Sequence, residues 1–198
     1  MKSPITILFF FCLTLSVSAQ QSNQSNSQKM PPADNPQMKA WMAYMTPGMP
    51  QQMMAKSAGE WKAEVMQFTD PSQPPMRSMA AVHNEMILGG RYLSTKYNGN
   101  MMGMPFEGQG TMGYDNGTKM YYSTWVDNMG TGISYMKGNM SADGKTLELK
   151  GSSFDPTQNK EVMMRQVTTF IDDNHQKMEF YSTMNGKEVK MMEMNLSR

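Results

Sequence analysis

Cysteine and histidine are nearly absent from this sequence, which leaves little material for thiol or metal chemistry. The single cysteine, Cys12, lies in the first apolar stretch, and the two histidines, His83 and His175, are far apart in the chain. A metal site usually needs three or four convergent nitrogen, oxygen or sulfur ligands. An exported chain without paired cysteines must also draw its stability from a packed core. We therefore expect no cofactor and no disulfide.

A surplus of charge of either sign is also missing. Without Lys2 the chain carries 17 Lys and Arg residues and 17 Asp and Glu residues. Phosphate contacts need a basic face, so the sequence predicts no nucleic-acid partner. It also contains no Gly-x-Ser-x-Gly elbow, and no nucleophile triad is indicated.

The chain has no long hydrophobic run. The apolar stretch at residues 5–17 is shorter than the ~20 residues of a membrane-spanning helix. It follows Lys2 and precedes a small-residue pattern ending at Ala19, as in a secretory signal peptide. We expect cleavage after Ala19, no membrane span after cleavage, and a secreted or periplasmic protein.

The next segment, residues 20–35, is rich in Gln, Ser, Asn and Pro. It offers too little apolar surface to offset the entropy of ordering, and is predicted to be a disordered tether. Residues 36–198 are then expected to form a single domain.

This domain is predicted to begin with one or two short helices. Asn35 can cap a helix in which Pro36 takes the first position. The residues Met38, Trp41, Met42 and Met45 follow with helical spacing on one face. A second helix is predicted over 51–58.

From residue 60 onward the apolar period changes to two, which indicates strands. Hairpin signals occur at Asn98-Gly99, Asn116-Gly117, Asp143-Gly144 and Asn185-Gly186. An antiparallel meander of this length tends to close, because closure removes exposed edges. The sequence therefore predicts a mainly β barrel of about ten strands, at roughly 60–68, 75–88, 91–98, 104–114, 119–126, 131–140, 146–153, 161–171, 176–184 and 187–196.

The glycines Gly108, Gly110 and Gly113 spell G-x-G-x-x-G, the pattern of a dinucleotide-binding turn. That fingerprint needs a helix directly after the glycines. Here a turn and a further strand follow. The glycines are therefore interpreted as structural, allowing a barrel strand to bend or a neighbour to approach closely.

Several phrases together resemble the exported bacterial domain-of-unknown-function family 1579, over about residues 50–198. The resemblance implies a single β-rich domain and no established activity. The phrases are Gly59-Glu60-Trp61, Gly89-Gly90-Arg91-Tyr92-Leu93, Pro105-Phe106-Glu107-Gly108, Gly113-Tyr114-Asp115-Asn116, Trp125-Val126-Asp127, Met129-Gly130-Thr131-Gly132, Asp155-Pro156 and Met192-Glu193-Met194.

A weaker likeness is to the calycin barrels, which include lipocalins, fatty-acid-binding proteins and nitrobindins. These begin with Gly-x-Trp on the first strand after a short helix, and Gly59-Glu60-Trp61 is placed accordingly. The likeness implies a calycin-like barrel in which Arg198, at the end of the last strand, packs over Trp61 in a cation–π contact.

Methionine is the compositional anomaly. Beyond the predicted signal peptide there are 26 Met against 14 Leu, Ile and Val combined. Methionine is flexible and polarizable, and it can replace branched aliphatics in a core. Two functional interpretations of the methionines remain open beside this structural one. Thioethers bind Cu(I), with Met101, Met102 and Met104 as the densest cluster, and exposed methionines can scavenge oxidants.

Polar and aromatic residues within the predicted strands are the candidates for a binding cavity. We expect non-enzymatic binding of a small, partly apolar ligand inside the barrel, with Arg91 or Arg165 holding an anionic head group. An enzyme that uses Glu107 with an arginine partner is the remaining alternative. The candidates for the cavity lining are Arg91, Glu107, Tyr114, Trp125, Arg165, Tyr181 and Glu193.

Overall fold

The structure, a computed structural model, describes residues 35–69, 72–184 and 186–198. The predicted signal peptide and cleavage site, and the tether up to residue 34, lie outside these residues. So do Asp70 and Pro71, and Asn185 of the predicted Asn185-Gly186 turn signal.

Two short helices precede the strands, as predicted. Helix α1 spans Pro36–Met45, and the Asn35 side chain accepts a hydrogen bond of 2.8 Å from the backbone N–H of Gln37. Helix α2 spans Met49–Ala55 and begins and ends earlier than the predicted range. Among the described residues, no helix has the length and hydrophobicity needed to cross a membrane.

Ten antiparallel strands follow, and they close into one barrel. Each strand pairs with the next along the chain, and β1 pairs with β10 to complete the ring. The predicted mainly β barrel is confirmed. The strands are β1 Gly59–Gln67, β2 Met76–Ile87, β3 Tyr92–Met101, β4 Met104–Asp115, β5 Met120–Asp127, β6 Ser134–Met140, β7 Thr146–Asp155, β8 Lys160–Asp172, β9 His175–Met184 and β10 Lys187–Ser197.

Alternation along the strands divides the side chains between a buried inner face and an outer face. One apolar cluster, which includes Trp61, Val82 and Met194, lies on β1, β2, β3 and β10. A second includes Leu147 and Leu149, both almost fully buried. Met54 of α2 packs into this second cluster, so α2 contributes to the core at one end of the barrel.

Arg198 lies over the ring of Trp61, with its guanidinium carbon 4.4 Å from the ring centroid. The guanidinium also donates hydrogen bonds to the carbonyl oxygens of Lys56, Ala58 and Asp173, at 3.1, 2.7 and 2.6 Å. One side chain thus joins the segment after α2, the start of β1 and the turn before β9. This joins the chain end to the helix-covered end of the barrel.

Replacing Arg198 by alanine is expected to lower the free energy of unfolding by about 1–2 kcal/mol, because a cation–π contact and several charge-assisted hydrogen bonds are lost together. Urea unfolding followed by circular dichroism measures the loss. Arg91→Ala is the matched control, since the Arg91 side chain donates to the carbonyl oxygens of Leu88 and Gly89 in its own turn. Equal effects of the two substitutions would contradict the assigned role of Arg198.

Candidate functional site

The inner face of the barrel surrounds a cavity of about 290 Å³. Residues from all ten strands line it, and Met53 and Met54 of α2 contribute from the covered end. Ligand pockets are typically ~300–1,000 Å³, so this cavity suits a small ligand.

The cavity lining is predominantly apolar. Ten of the lining side chains are methionines, among them Met112, Met136 and Met178, and six are aromatic. Among the described residues no Lys, Arg or His lines the cavity, and Asp127 is its only carboxylate. A lining of this composition can adapt its shape, but it offers no cation to an anionic ligand.

Trp125 forms part of the wall, and the glycines of β4 make room for it. A Cβ atom at Gly108 would overlap the indole ring, and one at Gly110 would lie 3.1 Å from indole Cε3. The indole Nε1 donates to Asp127 Oδ2 at 2.7 Å, and the ring meets Tyr97 edge to face at a centroid distance of 5.4 Å. Two glycines of the G-x-G-x-x-G pattern thus allow the indole to lie against the β4 backbone.

The third glycine of that pattern serves the outer face. A Cβ atom at Gly113 would lie 2.7 Å from the ring of Tyr92, which is its cross-strand partner on β3. All three glycines therefore lie within a strand, beside an aromatic ring.

The cavity has a polar end beneath α2. Ser57 follows α2, and its carbonyl oxygen accepts hydrogen bonds of 2.9 Å from Trp61 Nε1 and from Asn84 Nδ2. Its hydroxyl oxygen accepts one of 2.9 Å from Gln176 Nε2. Asn84 Oδ1 is buried and has no hydrogen-bond partner among the described residues. No sequence pattern predicted this neutral polar group.

Tyr97 adds a buried hydroxyl in the middle of the barrel. Burial raises its pKa far above the ordinary value of 10.0, so the hydroxyl keeps its proton. It donates to the sulfur of Met178 at 3.7 Å, which is a weak acceptor.

The predicted cavity residues divide between the two faces of the sheet. Trp125 lines the cavity. Tyr114 is half-buried and packs edge to face on Tyr121, outside the cavity lining. Arg91 lies exposed in the turn before β3, and Glu107 is exposed on β4. These two positions do not supply the expected inward charges.

Arg165 and Tyr181 also lie outside the cavity lining. The Arg165 guanidinium stands 4.1 Å from the centroid of the Tyr181 ring. Its Nη2 lies 2.6 Å from Glu188 and its Nη1 lies 3.4 Å from Glu148. Arg165 is therefore engaged by carboxylates of the protein. This position pairs its charge on the outer face, which is far less costly than burying the charge without a partner.

Glu193 belongs to a second ion-pair network, outside the cavity lining. Lys190 Nζ lies 2.8 Å from Glu193 and also binds Glu179. The hydrogen bond that Lys190 donates to Glu179, followed by the one it donates to Glu193, raises the pKa of Lys190. This network gives Glu193 a structural partner and places its charge away from the cavity.

The methionines proposed as copper ligands differ in exposure. Met101 lines the cavity, whereas Met102 and Met104 are 61% and 51% exposed at the hairpin tip. The histidines are also exposed, and their ring nitrogens bind Glu60 and Asp172. Within residues 35–69, 72–184 and 186–198, no three His, Cys, Asp or Glu side chains group as a metal site would require.

A family model described as "Protein of unknown function (DUF1579)" matches residues 46–198. Among solved structures, the chain is similar to the crystal structure of Rv2717c from M. tuberculosis. The TM-score is 0.58 with 18% sequence identity, and the match covers 76% of this chain and 98% of that chain. At this identity the likeness shows the fold alone. A search of curated protein sequences found no match.

Gly108→Ala is expected to displace the indole of Trp125, because the added methyl group would occupy the position of the ring. We expect a loss of about 1–3 kcal/mol of stability and a shifted Trp125 signal in 19F NMR of fluorotryptophan-labelled protein. Gly130→Ala is the control, since a Cβ atom there meets nothing within 4 Å. An unmoved Trp125 signal in Gly108→Ala would show that the ring does not depend on this glycine.

Arg165→Met is expected to make stability less sensitive to acid. The hydrogen bond from Arg165 holds the pKa of Glu188 below its ordinary 4.5, and the pKa of Glu148 is lowered first by Lys150 and then by Arg165. A lowered folded-state pKa contributes stability above the unfolded value, and this contribution is lost as pH falls through the folded pKa.

The stability difference between wild type and Arg165→Met should therefore be full above about pH 4.5 and shrink below it. Urea unfolding at a series of pH values measures this difference. Lys160→Met removes an exposed charge with no ion pair among the described residues, so it should give no such trend. A difference independent of pH would show that Arg165 acts only by packing.

Proposed function

The chain belongs to the DUF1579 family, whose description names no function, and from the barrel cavity we propose that the protein binds a small, partly apolar molecule without transforming it. The observation that carries the proposal is the 290 Å³ cavity lined mainly by methionine and aromatic side chains. When an apolar guest enters an apolar cavity of this size, it displaces poorly bonded water, and this lowers the free energy of the complex.

Cavity volume limits the ligand. If one water-sized group occupies about 30 Å³, the cavity holds on the order of ten such groups. A medium-length alkyl compound or a single-ring compound has this size. The methionines around it, including Met112, Met136 and Met164, can adopt several rotamers and accommodate related shapes.

The proposal includes export of the protein before it binds its ligand. The supporting features are the charged start, the apolar run and the small-residue pattern ending at Ala19. A binder of this kind would then act outside the cytoplasm. Expression of the full chain with mass analysis of the exported product tests this part, and an intact N-terminus at Met1 would contradict it.

Binding is expected to be size-selective and to occur inside the barrel. Within a series of straight-chain compounds of about six to fourteen carbons, the compounds with about ten non-hydrogen atoms should raise the melting temperature most. At a concentration a hundred times Kd, a ligand adds about 2.7 kcal/mol to the free energy of unfolding. Native mass spectrometry should show one ligand per chain.

Ser123→Phe and Ser94→Phe provide a matched pair of variants. Ser123 lines the cavity, on β5 opposite Met112 and Met136, so a phenyl group there should fill the space and abolish binding. Ser94 lies on β3 outside the cavity lining, and its substitution should leave binding intact. Unchanged binding by Ser123→Phe, or no stabilisation of wild type by any compound, would contradict the proposal.

A further inference from the structure

One buried acceptor at the polar end of the cavity has no protein partner. Asn84 is only 7% exposed, it lines the cavity, and its Oδ1 is unpaired among the described residues. The orientation of this amide is fixed, because Nδ2 donates to the carbonyl oxygen of Ser57. Exchanging the amide oxygen and nitrogen would set two acceptors against each other. Asn84 therefore places a buried acceptor without a donor in the wall of the cavity.

We propose that the ligand carries an uncharged hydrogen-bond donor, such as a hydroxyl group, which binds Asn84 Oδ1 beneath α2. This inference rests on the proposed function and narrows its ligand to small neutral amphiphiles of the medium-chain alcohol type. The hydroxyl group satisfies Asn84, and the apolar tail extends along the methionine and aromatic lining. Leaving a buried acceptor unpaired costs free energy, and the bound ligand removes this cost.

Two other amides of the cavity lining donate hydrogen bonds within the protein, and the described lining residues offer no cation to an anionic ligand. Gln166 Nε2 donates to Thr168 Oγ1 at 3.3 Å, and Gln176 Nε2 donates to Ser57 Oγ at 2.9 Å. No Lys, Arg or His among the described residues lines the cavity. A carboxylate only accepts hydrogen bonds, so next to Asn84 Oδ1 it would place two acceptors together without a cation to compensate.

The hydroxyl group of Tyr97, a second polar group of the cavity lining, already has a hydrogen-bond acceptor. The Tyr97 hydroxyl donates to the sulfur of Met178, so the bond assigned to Asn84 is separate from it. A water molecule could satisfy Asn84 only where two or more polar partners surround it. If such water persisted, an alcohol would gain nothing over a compound without a donor. Comparing the affinity of an alcohol with that of a compound without a donor therefore distinguishes a ligand site from a water site.

The test compares three probes by calorimetric titration of the full-length protein. 1-Nonanol and methyl octyl ether are isomers with equal numbers of non-hydrogen atoms, and only the alcohol donates a hydrogen bond. We expect 1-nonanol to bind ~10-fold or more tightly than the ether, and nonanoate at pH 8 to bind more weakly than the alcohol. The 13C signal of the Asn84 side-chain carbonyl should shift with 1-nonanol and not with the ether.

Asn84→Leu should reduce affinity for 1-nonanol to that of the ether and leave the ether unaffected. Gln67→Met removes another amide from the cavity lining and should preserve the preference. Equal binding of alcohol and ether to wild type would overturn this inference while leaving the proposed function intact. If nonanoate bound more tightly than 1-nonanol, the assignment of an uncharged ligand would be overturned. If none of the three probes bound, both this inference and the proposed function would be overturned. The comparison of 1-nonanol with the ether on the wild-type protein tests the inference even if Asn84→Leu fails to fold.

Discussion

The pairing of β1 with β10 is the constraint on which the rest of the structure depends. Once this pair closes the ring, no strand edge of the sheet remains free, and each strand must present alternate side chains to one shared interior. The interior receives Trp61, Val82 and Leu149, while Arg165 and Glu193 remain outside the cavity lining. Closure thus separates the inner cavity, which no Lys, Arg or His of residues 35–69, 72–184 and 186–198 lines, from an outer surface that carries the ion pairs.

The cavity persists because its wall contains bulky rings held away from the centre. Trp125 lies against the β4 backbone at Gly108 and Gly110, with its indole nitrogen bonded to Asp127. Side chains at those two positions would push the ring into the interior. Small residues in one strand therefore preserve space that a ligand can fill, and α2 covers this space through Met54. The same geometry leaves Asn84 as an acceptor at the covered end.

The fold was predictable from local signals, whereas the site was only partly so. Apolar alternation and the turns at Asn116-Gly117 and Asp143-Gly144 identified strands, and a helix after Gly113 was correctly excluded. The hairpin predicted at Asn98-Gly99 is wrong, because these residues pair with β4 inside β3 and the chain reverses at Met102-Gly103. Charged residues such as Arg165 stood out in the sequence because charge within a strand is unusual. Alternation alone does not say which face is inner. Asn84 was overlooked, although it lies two residues from Val82 and shares its face. Its unpaired oxygen depends on Ser57, which is distant in sequence, so no local pattern could reveal it.

The closed barrel keeps an open, apolar interior. A crystal structure determined under xenon pressure tests this most directly, because xenon enters apolar cavities that remain dry. We expect xenon to bind within the barrel, in contact with methionine side chains such as Met112 and Met136. A barrel interior collapsed onto its own side chains, with no xenon bound, would contradict it.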